Sequence, residues 1–402
     1  MTRPDASSPK IHGICDDHFA AVREAFANNF AEHDELGAAV ALTHEGRLVV
    51  DLWAGSADAA KTRPWERDTI VNIFSIGKAM TALCAHILVE RDLLDPEAPV
   101  ARYWPEFAQA GKDAILVREL LSHQAGLPAI RRELPSGAML DWELMTSELA
   151  GERPWWEPGK RHGYHVNTFG FLVGELVRRL GGKSFDRFFR EEVADPLELD
   201  FHFGLDPKHD ARTAEFQFIG NKSPEDLRAA AGDEALLAPA ASRLSDDERR
   251  MVRNAYANPL EFSGAGAVNT RAWRAAVFPS TNGHSNARSV ARAFGALACG
   301  GAIGGKRVAR SDTIERAIRE QVCGPDAVLF RPSRFALGFQ LTQPERPVGP
   351  NPRTFGHFGA GGSLGFADPD AGLGIGYVMN SMGARWQNPR NRGLIEAIYA
   401  SL

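Results

Sequence analysis

The sequence predicts a mixed α/β fold in which one sheet is assembled from both ends of the chain, with a mainly helical segment inserted between its parts. Three observations carry this. Short strand-like runs lie near both ends, the stretch between them has helical spacing broken by Pro and Gly, and no internal repeat is visible. On this reading residues 1–95 and 261–402 form the discontinuous sheet domain, and residues 96–260 the helical insertion.

The elements follow in order. Asp16 to His33 has Phe19, Val22, Phe26 and Phe30 spaced by three or four, the period of an amphipathic helix. Ala38 to Leu42 and Leu48 to Trp53 read as two strands joined at His44-Glu45-Gly46. Asp68 to Phe74 leads into an apolar helix that Asp95-Pro96 should stop near Leu94. Val117 to His123 and Thr168 to Leu180 are the clearest helices of the insertion, the second ended by Gly181-Gly182. Residues 207–259 are charged and Ala-rich, which reads more simply as a solvated helical face than as a linker or lid. Asn286 to Leu297 is a further helix. Ala336 to Leu341, Thr354 to Phe358, Gly362 to Ala367 and Leu373 to Val378 are short strands, with a turn at Asp368-Pro369-Asp370-Ala371-Gly372. Gly393 to Leu402 closes the chain as a helix.

Composition narrows the function classes. The 402 residues are 44% hydrophobic and 24% charged, as in soluble globular proteins. A net charge of -5 leaves no electrostatic footprint for nucleic acid. No apolar run approaches the ~20 residues that span a bilayer. The polar start, Met1-Thr2-Arg3-Pro4-Asp5, lacks a secretory h-region. Cys15, Cys84, Cys299 and Cys323 are scattered without a C-x-x-C pair, so neither a disulfide framework nor a zinc site is expected. A reducing, cytoplasmic setting is the expectation.

The chemistry centres on Ser75-Ile76-Gly77-Lys78 at the start of the apolar helix. A serine and a lysine one turn apart share a helix face. The serine sits near the positive end of the helix dipole. A lysine in a dry site loses proton affinity and can take a proton from the serine. The plain alternative is a helix N-cap followed by a solvated lysine. Phe74 before the serine and Met80, Leu83, Cys84, Ile87 and Leu88 after it argue for an interior position. Ser7-Ser8-Pro9-Lys10 repeats the pattern in a polar terminus without apolar periodicity.

Two further segments complete a possible site. Tyr164, between the Pro158-Gly159 turn and the Thr168 helix, is a candidate proton shuttle, its phenol acidified by a nearby Lys78 ammonium. Its bland reading is a core ring with a capped hydroxyl. His357-Phe358-Gly359-Ala360 opens a glycine-rich stretch, where the Ala360 N–H could join that of Ser75 in an oxyanion hole. The alternative there is a β-bulge. Gly361-Gly362-Ser363-Leu364-Gly365 matches the nucleophile elbow, but an extended run follows Ser363 where that motif needs a helix. His162 and His165 have no nearby carboxylate or cysteine to complete a metal site.

Taken together, Ser75-Ile-Gly-Lys78, Tyr164-His-Val-Asn167 and His357-Phe-Gly359 resemble the serine hydrolases of the class C β-lactamase and penicillin-binding fold, most closely the family VIII carboxylesterases. Leu120 to Leu127, Arg161 to Tyr164, Asn282-Gly283 and Gly361 to Pro369 carry the likeness further, so that it covers nearly the whole chain from about Phe19. The resemblance implies a central, mostly antiparallel sheet flanked by helices. It implies Ser75 as the acylated nucleophile, Lys78 as proton relay and Tyr164 as general base and acid. His357, Gly359 and Ala360 then fall on the strand that is K-T-G in the β-lactamases. Those enzymes carry lysine at His357, threonine at Phe358 and Y-x-N at Tyr164-His165-Val166, and these departures suit an uncharged ester better than a β-lactam.

The expectation is therefore a serine carboxylesterase for small, short-chain esters, working through an acyl-enzyme without metal or organic cofactor. Ser75, Ala360, His357, Gly359, Phe358, Trp155 and Asn282 are the expected substrate-side residues. An amide hydrolase of the β-lactamase or peptidase type, an acyltransferase, and a catalytically silent binding protein that keeps the fold are the alternatives.

Overall fold

The computed structural model describes residues 9–218, 244–260 and 267–402. The second serine-lysine match begins at Ser7 and lies outside the described residues, as does the middle of the 207–259 stretch.

The strands in chain order are β1 His12–Cys15, β2 Gly37–His44, β3 Arg47–Gly55, β4 Val71–Asn72, β5 Phe201–His202, β6 His284–Ser285, β7 Ala302–Ile303, β8 Lys306–Arg307, β9 Val322–Pro325, β10 Pro332–Phe335, β11 Gln340–Leu341, β12 Phe355–Phe358, β13 Leu364–Asp368 and β14 Leu373–Met379. Nine of them form one antiparallel sheet in the order β1-β3-β2-β14-β13-β12-β11-β10-β9. β14 from the end of the chain pairs with β2 from its beginning, Tyr377 opposite Val40, so both termini build one sheet as expected. The β2–β3 turn uses Glu45 at φ +50° and Gly46 at φ +76°. Two left-handed residues in a two-residue loop match the twist of the strands.

The principal helices are α1 Ala20–Glu32, α2 Ile76–Glu90, α3 Trp142–Gly151, α4 Thr168–Gly181, α5 Asp246–Ala257, α6 Ala287–Ala298 and α7 Pro389–Ala400. β2 is buried along nearly its whole length and β14 throughout, because both faces are covered. α6 lies close against β14. A Cβ on Gly374 would stand 2.2 Å from the Gly295 nitrogen, and one on Gly376 2.3 Å from the Ala287 oxygen. Only glycine permits that approach.

α2 is buried from Ile76 to Leu88 and packs between α4 and β12, which sets its N-terminus where sheet and inserted helices meet. It ends at Glu90, earlier than Asp95-Pro96 would dictate. Asp92 turns left-handed at φ +57°, and the N–H groups of Leu93 and Leu94 both close on the Leu88 carbonyl. α7 likewise starts before Gly393, with Asn388 as its cap and Pro389 in its first turn. The expected 336–341 strand is split, since Gly338 at φ +89° turns the chain between β10 and β11.

The inserted segment is not sealed off. β5 pairs with β6, Thr213 bridges Ile70 and Gln217 bridges Ser381. One apolar cluster runs from Phe26 and Val40 through Met80 to Phe171 and Phe294, so sheet and insertion share a core.

Candidate active site

Ser75 stands immediately before α2, and its own side chain caps nothing. Phe74 ahead of it is held at φ +51°, an uncommon conformation for a bulky residue, with its ring edge-to-face on Phe216 at 4.8 Å. One turn later Lys78 is fully buried. Its Nζ donates to Ser75 Oγ at 3.2 Å and to the Ser280 carbonyl at 3.0 Å. Burial pushes the ammonium well below the usual lysine value, with no carboxylate opposing it.

Tyr164 comes from the loop ahead of α4. Its backbone N–H donates to Asp326 Oδ1 at 3.0 Å. Its ring stacks on Phe335 at 6.0 Å and meets His123 and Trp386 edge-on, each at 5.1 Å. Lys78 Nζ lies 4.8 Å from the centre of that ring. The phenol oxygen is buried and has no hydrogen-bond partner of ordinary length among the described residues. Burial raises its pKa well above the usual phenol value, and the nearby Ser75 hydroxyl offsets this only in part. The expected acidification by Lys78 is therefore not what the geometry gives. The dry surroundings disfavour both the phenolate and the ammonium, because neither charged form is solvated.

His357 on β12 faces the same space, its ring 5.9 Å from that of Tyr164. Nδ1 pairs with the Phe358 carbonyl at 2.6 Å, which assigns the proton to that nitrogen and leaves buried Nε2 an acceptor without a partner among the described residues. Burial and the Lys78 charge push its pKa down to about 3. Phe358, next along the strand, packs onto Phe366 in the core.

At the end of β12, a Cβ on Gly359 would stand 2.1 Å from Ser363 Oγ and 2.5 Å from the Ile73 carbonyl. Glycine lets this strand end lie against the chain two residues ahead of Ser75. The N–H groups of Ala360 and Ser75 close on no described backbone carbonyl. Ser363 itself is buried, donates to the Ile73 carbonyl at 3.3 Å, and is followed by β13 and not by a helix.

One expected substrate contact is corrected. Asn282 is fully buried, accepts from the Phe278 N–H and donates to the carbonyls of Trp273 and Ala276, so its side chain only ties its own loop. Trp155 donates to the Ala129 carbonyl at 2.8 Å, lies under the Arg131 guanidinium at 3.8 Å, and packs half-buried against the apolar cluster that includes Tyr164. His162 pairs with Ser333 Oγ at 2.9 Å, and His165 with the Gly163 carbonyl and the Leu127 N–H. No group of three metal-ligating side chains occurs among the described residues. His123, Asp326, Phe335 and Trp386 were not singled out from sequence. His123 at least lies in the quoted 120–127 segment, whereas Asp326 and Trp386 sit in loops without any pattern to mark them.

The family profile described as Beta-lactamase matches residues 22–400. The chain belongs to the beta-lactamase family. Over 384 residues it is 38% identical to the esterase/beta-lactamase LipL of Mycobacterium tuberculosis, spanning 94% of this chain and 85% of LipL. A crystal structure of a family VIII carboxylesterase superposes with a TM-score of 0.87 at 40% identity, covering 98% of this chain and all of that one. EstA from Arthrobacter nitroguajacolicus Rue61a superposes with a TM-score of 0.82 at 30% identity, covering 96% and 97%. The fold is thus that of the β-lactamases and penicillin-binding proteins, and the chain is a serine hydrolase of that family. No helix among the described residues is long and apolar enough to cross a membrane.

Proposed function

We propose that this protein hydrolyses small carboxylic esters through an acyl-enzyme on Ser75. The observation that carries this reading is the buried Lys78 amine, hydrogen-bonded to Ser75 Oγ at 3.2 Å, its charged form disfavoured by burial. A neutral amine at that distance is a base for the serine proton. Ser75 Oγ bonds to the carbonyl carbon while its proton passes to Lys78 Nζ. The carbonyl oxygen takes the negative charge against the N–H groups of Ser75 and Ala360. As the bond to the alcohol oxygen breaks, Tyr164 gives that oxygen its phenolic proton, and the Lys78 ammonium replaces it. Water then attacks the acyl carbon, its proton leaves by the same pair, and Ser75 regains a proton as the acid departs.

The esters favoured are neutral at the acyl end. His357, whose charged form burial disfavours, stands at the third motif where the β-lactamases carry a lysine, so no cation is fixed there for an acyl-side anion. The names of LipL, the family VIII carboxylesterase and EstA support ester hydrolysis. The name of LipL, an esterase/beta-lactamase, also favours weak β-lactam hydrolysis as a second activity of the same serine. The test is turnover of p-nitrophenyl butyrate beside nitrocefin. Ser75→Ala should abolish both activities, and Ser363→Ala should retain them. A fluorophosphonate should label Ser75, and full ester turnover by Ser75→Ala would end this reading.

A further inference from the structure

Guanidinium groups flank Trp386, whose indole packs on the Tyr164 ring. Arg331 Cζ lies 4.6 Å from the indole centre and that of Arg346 5.9 Å. Arg385 adds its charge nearby. Arg346 is tied down, donating to the Pro332 carbonyl at 2.8 Å and to Gln343 Oε1 at 3.0 Å. Arg331 differs. It is half-buried, yet its guanidinium makes no hydrogen bond or ion pair among the described residues. The nearby Asp326 carboxylate is fully engaged. Its Oδ1 accepts the N–H groups of Tyr164, Val328 and Leu329, and its Oδ2 accepts from Ser333. Tyr256, the other polar neighbour, stays a neutral phenol with its pKa pushed up to about 12 by burial.

A partly desolvated guanidinium with no acceptor among the described residues has donors open to a ligand. We infer that Arg331 receives a carboxylate carried by the alcohol half of the ester substrate, stacked in place by Trp386. The side follows from the chemistry, and this step rests on the esterase reading. The departing oxygen must lie against Tyr164 to take its proton, so the group beyond it runs past Tyr164 toward the indole and Arg331. The substrate class is then an acyl ester of a hydroxy acid: neutral at the acyl end and anionic beyond the scissile oxygen.

The test compares 3-(butanoyloxy)benzoate with 3-carbamoylphenyl butanoate, which share a shape and differ in charge. The ratio of their kcat/KM values should be about tenfold higher in the wild type than in Arg331→Met, chiefly through KM, with Arg331→Lys between. Taking this ratio between proteins cancels the intrinsic reactivity of the two esters. Calorimetry on Ser75→Ala gives a readout independent of turnover, and adding Arg331→Met should weaken binding of the anionic ester about tenfold. An equal ratio in wild type and Arg331→Met, with unchanged binding, overturns the inference. If the wild type turns over neither ester, the esterase reading fails, and binding to Ser75→Ala still decides the role of Arg331.

Discussion

Asp326, in the turn between β9 and β10, accepts the backbone N–H of Tyr164 at 3.0 Å and so ties the phenol's loop to the sheet. The same carboxylate accepts from Val328, Leu329 and Ser333, and Ser333 in turn holds His162. Asp326→Ala would leave several buried donors without an acceptor. Hydrogen bonds to a charged group contribute about 1.5–3 kcal/mol each and are not additive, so a loss of about 2–4 kcal/mol in unfolding free energy is expected. Urea denaturation measures it, and a change below about 0.5 kcal/mol would refute the tie.

Lys78 should make stability depend on pH in a definite direction. Burial holds its folded pKa below the ordinary lysine value. Between those two values the unfolded chain binds one more proton than the folded one, so stability rises with pH across that window. Lys78→Met removes this penalty and the activity together. It should be more stable than the wild type at pH 7 by about 1–4 kcal/mol, as when other buried ionic groups are made apolar. The advantage should shrink as pH approaches the ordinary lysine value. Thermal melts over a pH series decide it, and an advantage that grows with pH contradicts a buried neutral amine.

Why Ser75, Lys78 and Tyr164 were legible from sequence while Arg331 and Trp386 were not has a physical basis. The serine and lysine lie on one helix turn, where spacing alone dictates proximity, and β2, β3, β13 and β14 announce themselves by apolar runs between turn residues. Tyr164 was found through its flanking turn and helix, but the direction of its pKa was not, since burial depends on Phe335, His123 and Trp386 arriving from three distant segments. Asn282 misled because an asparagine in a loop reads alike whether it faces a ligand or, as here, its own backbone. The cap at Asn388-Pro389 was present in the sequence and places the last helix's start correctly.

Gly359 should be intolerant of the smallest enlargement. A methyl group there meets Ser363 Oγ and the Ile73 carbonyl well inside contact distance. Relief requires the end of β12 to withdraw from the segment carrying Ser75, and the Ala360 N–H withdraws with it. Losing one oxyanion donor costs about 10²–10³ in kcat, so Gly359→Ala is expected to fall in that range with little change in KM. Steady-state kinetics on p-nitrophenyl butyrate checks this, and a variant within twofold of wild type would remove Ala360 from the oxyanion site.

Tyr164→Phe separates the phenol's chemistry from its packing. The ring stays between Phe335, His123 and Trp386, and the lost hydroxyl had no hydrogen-bond partner of ordinary length among the described residues, so stability should hold or rise slightly. If Tyr164 protonates the departing alcohol, the loss must grow with the basicity of that alcohol. An ethyl ester leaves as a strongly basic alkoxide and needs the proton, whereas p-nitrophenolate departs without one. The expected fall is about 10²–10⁴ for the ethyl ester and markedly smaller for the p-nitrophenyl ester. Equal losses on both esters would show that the hydroxyl acts in the attack of Ser75 and not in the departure of the alcohol. In that case the proton would reach the leaving oxygen from Lys78 directly.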